Sequence, residues 1–91
     1  MAEIRLESAV TEERLAELGV RDWPVWSKEV SVFPWHYDAA ETCYVLEGEV
    51  IITPDGGEPV RLGQGDLAVF PRGLSCSWDV RAPIRKHYQL G

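Results

Sequence analysis

HYDAAETCYVLEGEV, residues 36–50, sets the problem on which the fold turns: a charged glutamate opens a run that otherwise reads as a strand with a buried face. A strand sends alternate side chains to opposite faces, so Glu41, Cys43 and Val45 point one way while Thr42, Tyr44 and Leu46 point the other. Beyond the first residue both faces are largely apolar, which suits a sheet curled round an enclosed interior with Glu41 near one end of it. A lone buried carboxylate is costly, so Glu41 has to be paired, metal-bound, protonated or close to water.

Outward from this stretch the chain reads almost entirely as strand and turn. VWSKEVSVFPWHY, ETCYVLEGEVIIT, EPVRL, LAVFP, SCSWDV and IRKHYQL are apolar or alternating runs, separated by DAA, PDGG, GQGD, PRG and RAP. Asp55, Gly56 and Gly57 suit a tight hairpin, whereas Gly48 in mid-run marks a bend or bulge. EIRLE near the N-terminus alternates like a short strand. VTEERLAELG after it reads as a helix, with Thr11 as N-cap, two glutamates in the first turn and Gly19 at the left-handed C-terminal cap. A helix this short needs a larger surface for Leu15 and Leu18 to pack on. The expected fold is therefore mainly β, a barrel or sandwich with one short N-terminal helix, in a single domain over residues 1–91.

Two motifs within this pattern resemble those of the cupin superfamily. The first family motif has two histidines at alternate positions, a glutamate, six residues and a glycine. Here His36 stands where the second histidine belongs, Glu41 takes the glutamate position, Gly48 follows after six residues, and Pro34 replaces the first histidine. In GDLAVFPRGLSCSWDV, from Gly65, the glycine, proline and glycine of the second motif match Gly65, Pro71 and Gly73. Cys76 stands at its histidine position and Val80 at its asparagine position. The wording is most similar to the small single-domain cupin-3 group, whose relatives include ethanolamine-utilisation protein Q and ureidoglycine aminohydrolase-like proteins. The resemblance implies an RmlC-like jelly-roll β-barrel and no single activity.

It also implies a site. His36, Glu41 and Cys76 stand at family ligand positions and retain donor atoms, so they are the candidate metal ligands; a nitrogen, oxygen and sulfur set suits Zn, Ni or Fe better than Mg or Ca, with Mn as a further candidate ion. Glu41 is the candidate catalytic carboxylate. Cys43 should share its face, and Trp78 should share that of Cys76, so His36, Cys43, Cys76 and Trp78 are candidate ligand-binding residues. The competing reading is structural: His36 caps a strand end, Glu41 pairs with Arg85 or Lys86 of the final strand, and Cys76 is a small core residue. Cys43 and Cys76 form no CxxC pair, and buried free thiols are expected, with a bond between them as the alternative. His87 reads as an exposed or strand-end histidine.

Composition narrows the function classes. With 45% hydrophobic residues and four tryptophans, 91 residues can build a core, and a domain of this size gains stability by pairing with a second copy, so a homodimer is consistent with the length. Nine basic against fifteen acidic residues, without basic clusters, give a net charge of −6 and argue against nucleic acid as a partner. No apolar run is long enough to span a bilayer and no basic-then-apolar leader is visible, so a soluble cytoplasmic protein is expected. Three functions fit: a small-molecule-binding cupin with an optional divalent metal; a metal-dependent hydrolase or isomerase acting on a small nitrogen-containing or sugar-like compound; and a structural or regulatory domain.

Overall fold

The computed structural model describes residues 3–91. Seven strands and one helix follow in chain order: β1 (Arg5–Glu7), α1 (Glu12–Leu18), β2 (Val25–Lys28), β3 (Ser31–His36), β4 (Glu41–Pro54), β5 (Val60–Gly63), β6 (Leu67–Phe70) and β7 (Ser75–Leu90), with a short 3₁₀ turn at Val20–Asp22. Thr11 accepts a hydrogen bond from the Arg14 amide at 3.2 Å, and Gly19 closes the helix at φ 69°, as the capping residues require.

Two long antiparallel strands form the spine. β4 pairs with β7 along its whole length, from Glu41 opposite Leu90 to Pro54 opposite Cys76. Each short strand takes one half of a free edge: β6 lies against the first half of β4 and β5 against the second, while β2 lies against the last half of β7 and β3 against the first. The pairing therefore falls into two half-sheets, β1-β6-β4-β7-β2 and β5-β4-β7-β3, hinged where the β4–β7 register shifts between Val45 and Val50. Trp78 of the second half packs against Trp26 and Phe70 of the first, so the halves face each other across one core. This is a jelly-roll arrangement, and its outermost strands β1 and β2 are not paired to one another, so the sheet is rolled without being closed.

The hinge has a single-atom cause. Gly48 adopts φ 98°, and a Cβ placed there would lie 2.3 Å from the Pro83 carbonyl oxygen and 2.7 Å from the Ile84 Cα. Only a residue without a side chain lets the two backbones meet so closely. Pro83 is tolerated because the pairing of β7 with β3 stops at Val80 and its pairing with β2 starts at Ile84, so the intervening stretch of β7 has no ladder partner on that edge.

Two expectations of segmentation change. RAP, residues 81–83, is not a turn: β7 runs through it as a bulged continuation, and SCSWDV and IRKHYQL are one strand. Conversely VWSKEVSVFPWHY is two strands, broken at Glu29 and Val30, where Ser31 Oγ donates to the Glu29 carbonyl at 2.8 Å. The Pro54–Gly57 hairpin forms as expected, closed by the Gly57 amide donating to the Pro54 carbonyl.

The main core contains Cys43, Val45, Val50, Ile52, Phe70, Trp78, Val80 and Ile84, drawn from both half-sheets. Leu15 and Val20 are buried apart from it, on the outer face of the first half-sheet. His87 is also on that outer face and is buried rather than exposed: its Nδ1 donates to the Trp23 carbonyl at 2.9 Å, because the 3₁₀ turn and the segment after it cover this part of β7.

Gly48→Ala should lower stability by about 3 kcal/mol, from positive-φ strain and the forced displacement of Pro83. Gly63→Ala is the control, since a Cβ there meets nothing closer than the Gly48 carbonyl at 3.9 Å, and should be nearly neutral in the same denaturant titration.

Candidate functional site

The strand alternation proposed for residues 41–46 holds: Glu41, Cys43 and Val45 are buried and face the interior. On β7 the interior face carries Cys76, Trp78, Val80, Ile84 and Lys86, whereas Arg85 is exposed. The partner of Glu41 is thus Lys86. Its Nζ lies 2.6 Å from Glu41 Oε2, with the two residues only 5% and 7% exposed. Their positions are not opposite each other in the ladder, since Glu41 faces Leu90 and Lys86 faces Val45. The long lysine stem runs along the sheet past the Cys43 and Tyr88 pair to reach the carboxylate.

Aromatic rings surround the ammonium. Nζ stands 4.6 Å from the Trp78 ring centroid, 5.1 Å from that of Trp26 and 6.0 Å from that of Phe70. Ring faces attract a cation, an effect worth about 2 kcal/mol where water is excluded. The carboxylate and the rings together make the buried charge tolerable.

This pair forms the floor of a cavity of about 230 Å³, walled by Trp26, Phe33, Trp35, Trp78, Tyr88 and Leu90. Trp35 and Leu90, 48% and 61% exposed, stand at its mouth. Phe33 stacks on Trp78 at 6.1 Å and meets Trp35 and Trp26 edge-on, so the walls are fixed against one another. Behind the cavity Tyr37 stacks on Phe70 at 4.8 Å, and the Tyr37 hydroxyl and Trp78 Nε1 are buried without a hydrogen-bond partner among the described residues.

The expected metal ligands do not come together. In the β3–β7 ladder Trp35 is opposite Cys76 and His36 opposite Ser75. Residues opposite each other share a face, so Trp35 points inward with Cys76 while His36 points outward. There it is exposed, with Nδ1 2.7 Å from Ser75 Oγ and Nε2 3.7 Å from Asp38. His36 therefore lies outside the cavity lining, and its ring nitrogens face Ser75 and Asp38 rather than Glu41. Among the described residues no group of three or more His, Cys, Asp and Glu side chains is placed to hold a metal ion. The donor set does not fit a divalent ion: where a cation would sit against Glu41, the Lys86 ammonium already does.

Of the remaining candidates, Trp78 lines the cavity, whereas Cys43 and Cys76 are buried in the core behind its walls as free thiols. Burial pushes the Cys43 thiol up to about 11 and raises that of Cys76, so both stay protonated at neutral pH. Burial, with the Glu41 charge adding to it, holds the Tyr37 hydroxyl far above its ordinary range. Lys86 entered the sequence reading only as one of two charge partners for Glu41. Trp26, Phe33, Trp35, Tyr88 and Leu90 are not motif residues, and nothing in the local sequence marked them for the cavity.

Comparison with known proteins places this geometry. The model of the EutQ-like cupin domain family matches residues 15–88. A DUF861 family protein from Thermotoga maritima is 50% identical and superposes with a TM-score of 0.94, covering 98% of this chain and 100% of that one. A putative ethanolamine utilization protein Q from Salmonella typhimurium (24% identity, TM-score 0.67, 96% of this chain and 68% of that one) and the EutQ protein of Clostridium difficile (21%, 0.67, 98% and 68%) share the fold. No curated protein matches the chain. Among the described residues no helix is long and apolar enough to cross a membrane.

Glu41→Gln should lower stability by about 3 to 5 kcal/mol, because it leaves the Lys86 ammonium buried without its counter-charge. Adding Lys86→Met should restore much of that loss, and a double-mutant cycle by denaturant titration measures the coupling.

The thiols predict a second dependence. The folded state holds the Cys43 proton more tightly than the unfolded chain, whose thiol ionises near its ordinary value of 9.0. Stability should therefore fall as pH rises from 9.0 towards about 11, by up to about 1.4 kcal/mol per pH unit for each such group. Cys43→Ala should flatten the slope.

Proposed function

The chain belongs to the EutQ-like cupin domain family, and from that premise we propose that it is a small-molecule-binding cupin whose ligand is planar, uncharged and carries a hydrogen-bond donor beside an acceptor. The observation that carries this reading is the composition of the cavity: aromatic walls over a floor made of one carboxylate and one ammonium already in contact. Flat aromatic walls favour a flat ligand, and a few convergent polar groups in an apolar pocket fix its orientation.

The paired floor sets the charge. A cationic ligand meets Lys86 and an anionic one meets Glu41, so either must disrupt the existing pair or accept a like charge at close range. A neutral amide, lactam or ureide avoids both. Its N–H donates to the carboxylate, its carbonyl accepts from the ammonium, and the ion pair opens only far enough to admit the two hydrogen bonds. The exposed Trp35 and Leu90 at the mouth leave the far end of the ligand free to extend into solvent.

Three of the four tryptophans, Trp26, Trp35 and Trp78, line the cavity, so intrinsic fluorescence reports on occupancy directly. Titration with benzamide, benzoate, benzylammonium and toluene should rank benzamide tightest. The advantage should be on the order of tenfold or more over each of the others, the worth of one charge-assisted hydrogen bond. Equal affinity across the four, or benzylammonium tightest, overturns the reading.

A further inference from the structure

We propose that the cavity captures aldehydes and ketones by reversible covalent chemistry, with Lys86 condensing to a protonated imine and Glu41 carrying the protons. This rests on the cavity being a small-molecule site and goes beyond it by naming a reactive group and a substrate class.

Lys86 is the nucleophile that a carbonyl entering the cavity meets. It lines the floor, whereas neither buried cysteine is among the lining residues. Its Nζ is already in contact with Glu41 Oε2 at 2.6 Å, within the range over which a positioned carboxylate can take a proton.

The step needs no other reactant. The ammonium passes one proton to Glu41, and the freed lone pair forms the N–C bond as the carbonyl π pair moves onto oxygen. Glu41 returns the proton to that oxygen, giving a carbinolamine. It then removes a second proton from nitrogen and delivers it to the hydroxyl, which leaves as water while the nitrogen lone pair closes the C=N bond. One ammonium and one carbonyl compound become one protonated imine and one water, with Glu41 ionised before and after.

The site is built to keep that product. A protonated imine has the same charge as the ammonium it replaces and inherits its surroundings: the Glu41 carboxylate and the faces of Trp78, Trp26 and Phe70. The apolar walls restrict the water that would hydrolyse it, while the open mouth lets one water leave.

The chain's two lysines provide the test, because Lys28 is an internal control. Lys28 lies over the Phe33 ring at 5.5 Å and has no ion-pair partner among the described residues. The wild-type protein is treated with benzaldehyde and sodium cyanoborohydride, which reduces an imine to a stable benzylamine, and the modified peptides are mapped by mass spectrometry. Lys86 should be modified faster than Lys28 by on the order of 100-fold, the size of a general acid–base contribution. Excess benzamide should protect Lys86 and leave Lys28 unaffected, and Glu41→Gln should bring Lys86 down to the rate of Lys28. Equal labelling of the two lysines, or none at Lys86 while benzamide still binds, overturns the imine and leaves the binding site standing. Absence of both benzamide binding and Lys86 labelling overturns the two together. Lys86 labelling without benzamide binding supports the imine and overturns the amide preference.

Discussion

Where β4 passes β7 at Gly48, two backbones touch with no side chain between them. On one side of that contact the spine strands carry Glu41, Cys43, Val45 and Lys86; on the other they carry Ile52, Cys76 and Trp78. Because the register slips there, the two halves turn to face each other, and the Trp78 ring comes to lie over the Lys86 ammonium. A side chain at position 48 would push the strands apart at this hinge and strain the cavity together with the core. The bend, the aromatic walls and the charged floor are thus one construction.

Burying a lysine beside a glutamate is a weak way to stabilise a small protein, since removing both charges from water offsets much of their attraction. What the pair provides is position. Each charge holds the other at a defined point on the cavity floor, and the rings around Lys86 exclude other arrangements of its flexible stem. The interior is therefore locally neutral but strongly dipolar, within a chain whose net charge is −6. Such a site selects ligands by the order of donor and acceptor along an edge rather than by net charge. The same contact supplies an amine with an adjacent proton acceptor, so binding and carbonyl chemistry arise from one geometry.

The outer face of the first half-sheet is a separate region. There α1 and the 3₁₀ turn bury Leu15 and Val20, and the Trp23 carbonyl fixes His87. Both histidines therefore lie outside the cavity, His36 on one outer surface and His87 beneath another. The cupin pattern persists in the glycines and turns that shape the roll, while the cation against Glu41 is an organic one. Shared fold and shared site chemistry are separable here, as they are across folds generally.

Local rules made much of this legible in advance. Thr11 and Gly19 bracketed the helix because capping depends on neighbouring backbone alone. The motif glycines and prolines placed the roll, and alternation put Glu41, Cys43 and Val45 on one buried face. Glu41 was marked as needing a partner by its charge. What the sequence left open was phase and meeting. RAP looked like a turn because its proline cannot donate to a ladder, yet only the arrangement of β2 and β3 shows that no donor is needed there. The break at Glu29 and Val30 has no glycine or proline to announce it. Parity along β3 put Trp35 inside and His36 outside, and a one-residue choice of this kind reverses every side chain of a strand. Arg85 and Lys86 were equal candidates for Glu41 until the bulge at Gly48 set which of them faces inward. Motif spacing counts residues along the chain, whereas the site is made by side chains more than forty residues apart meeting across a fold. Which of those side chains point into the same space is settled by strand register and packing.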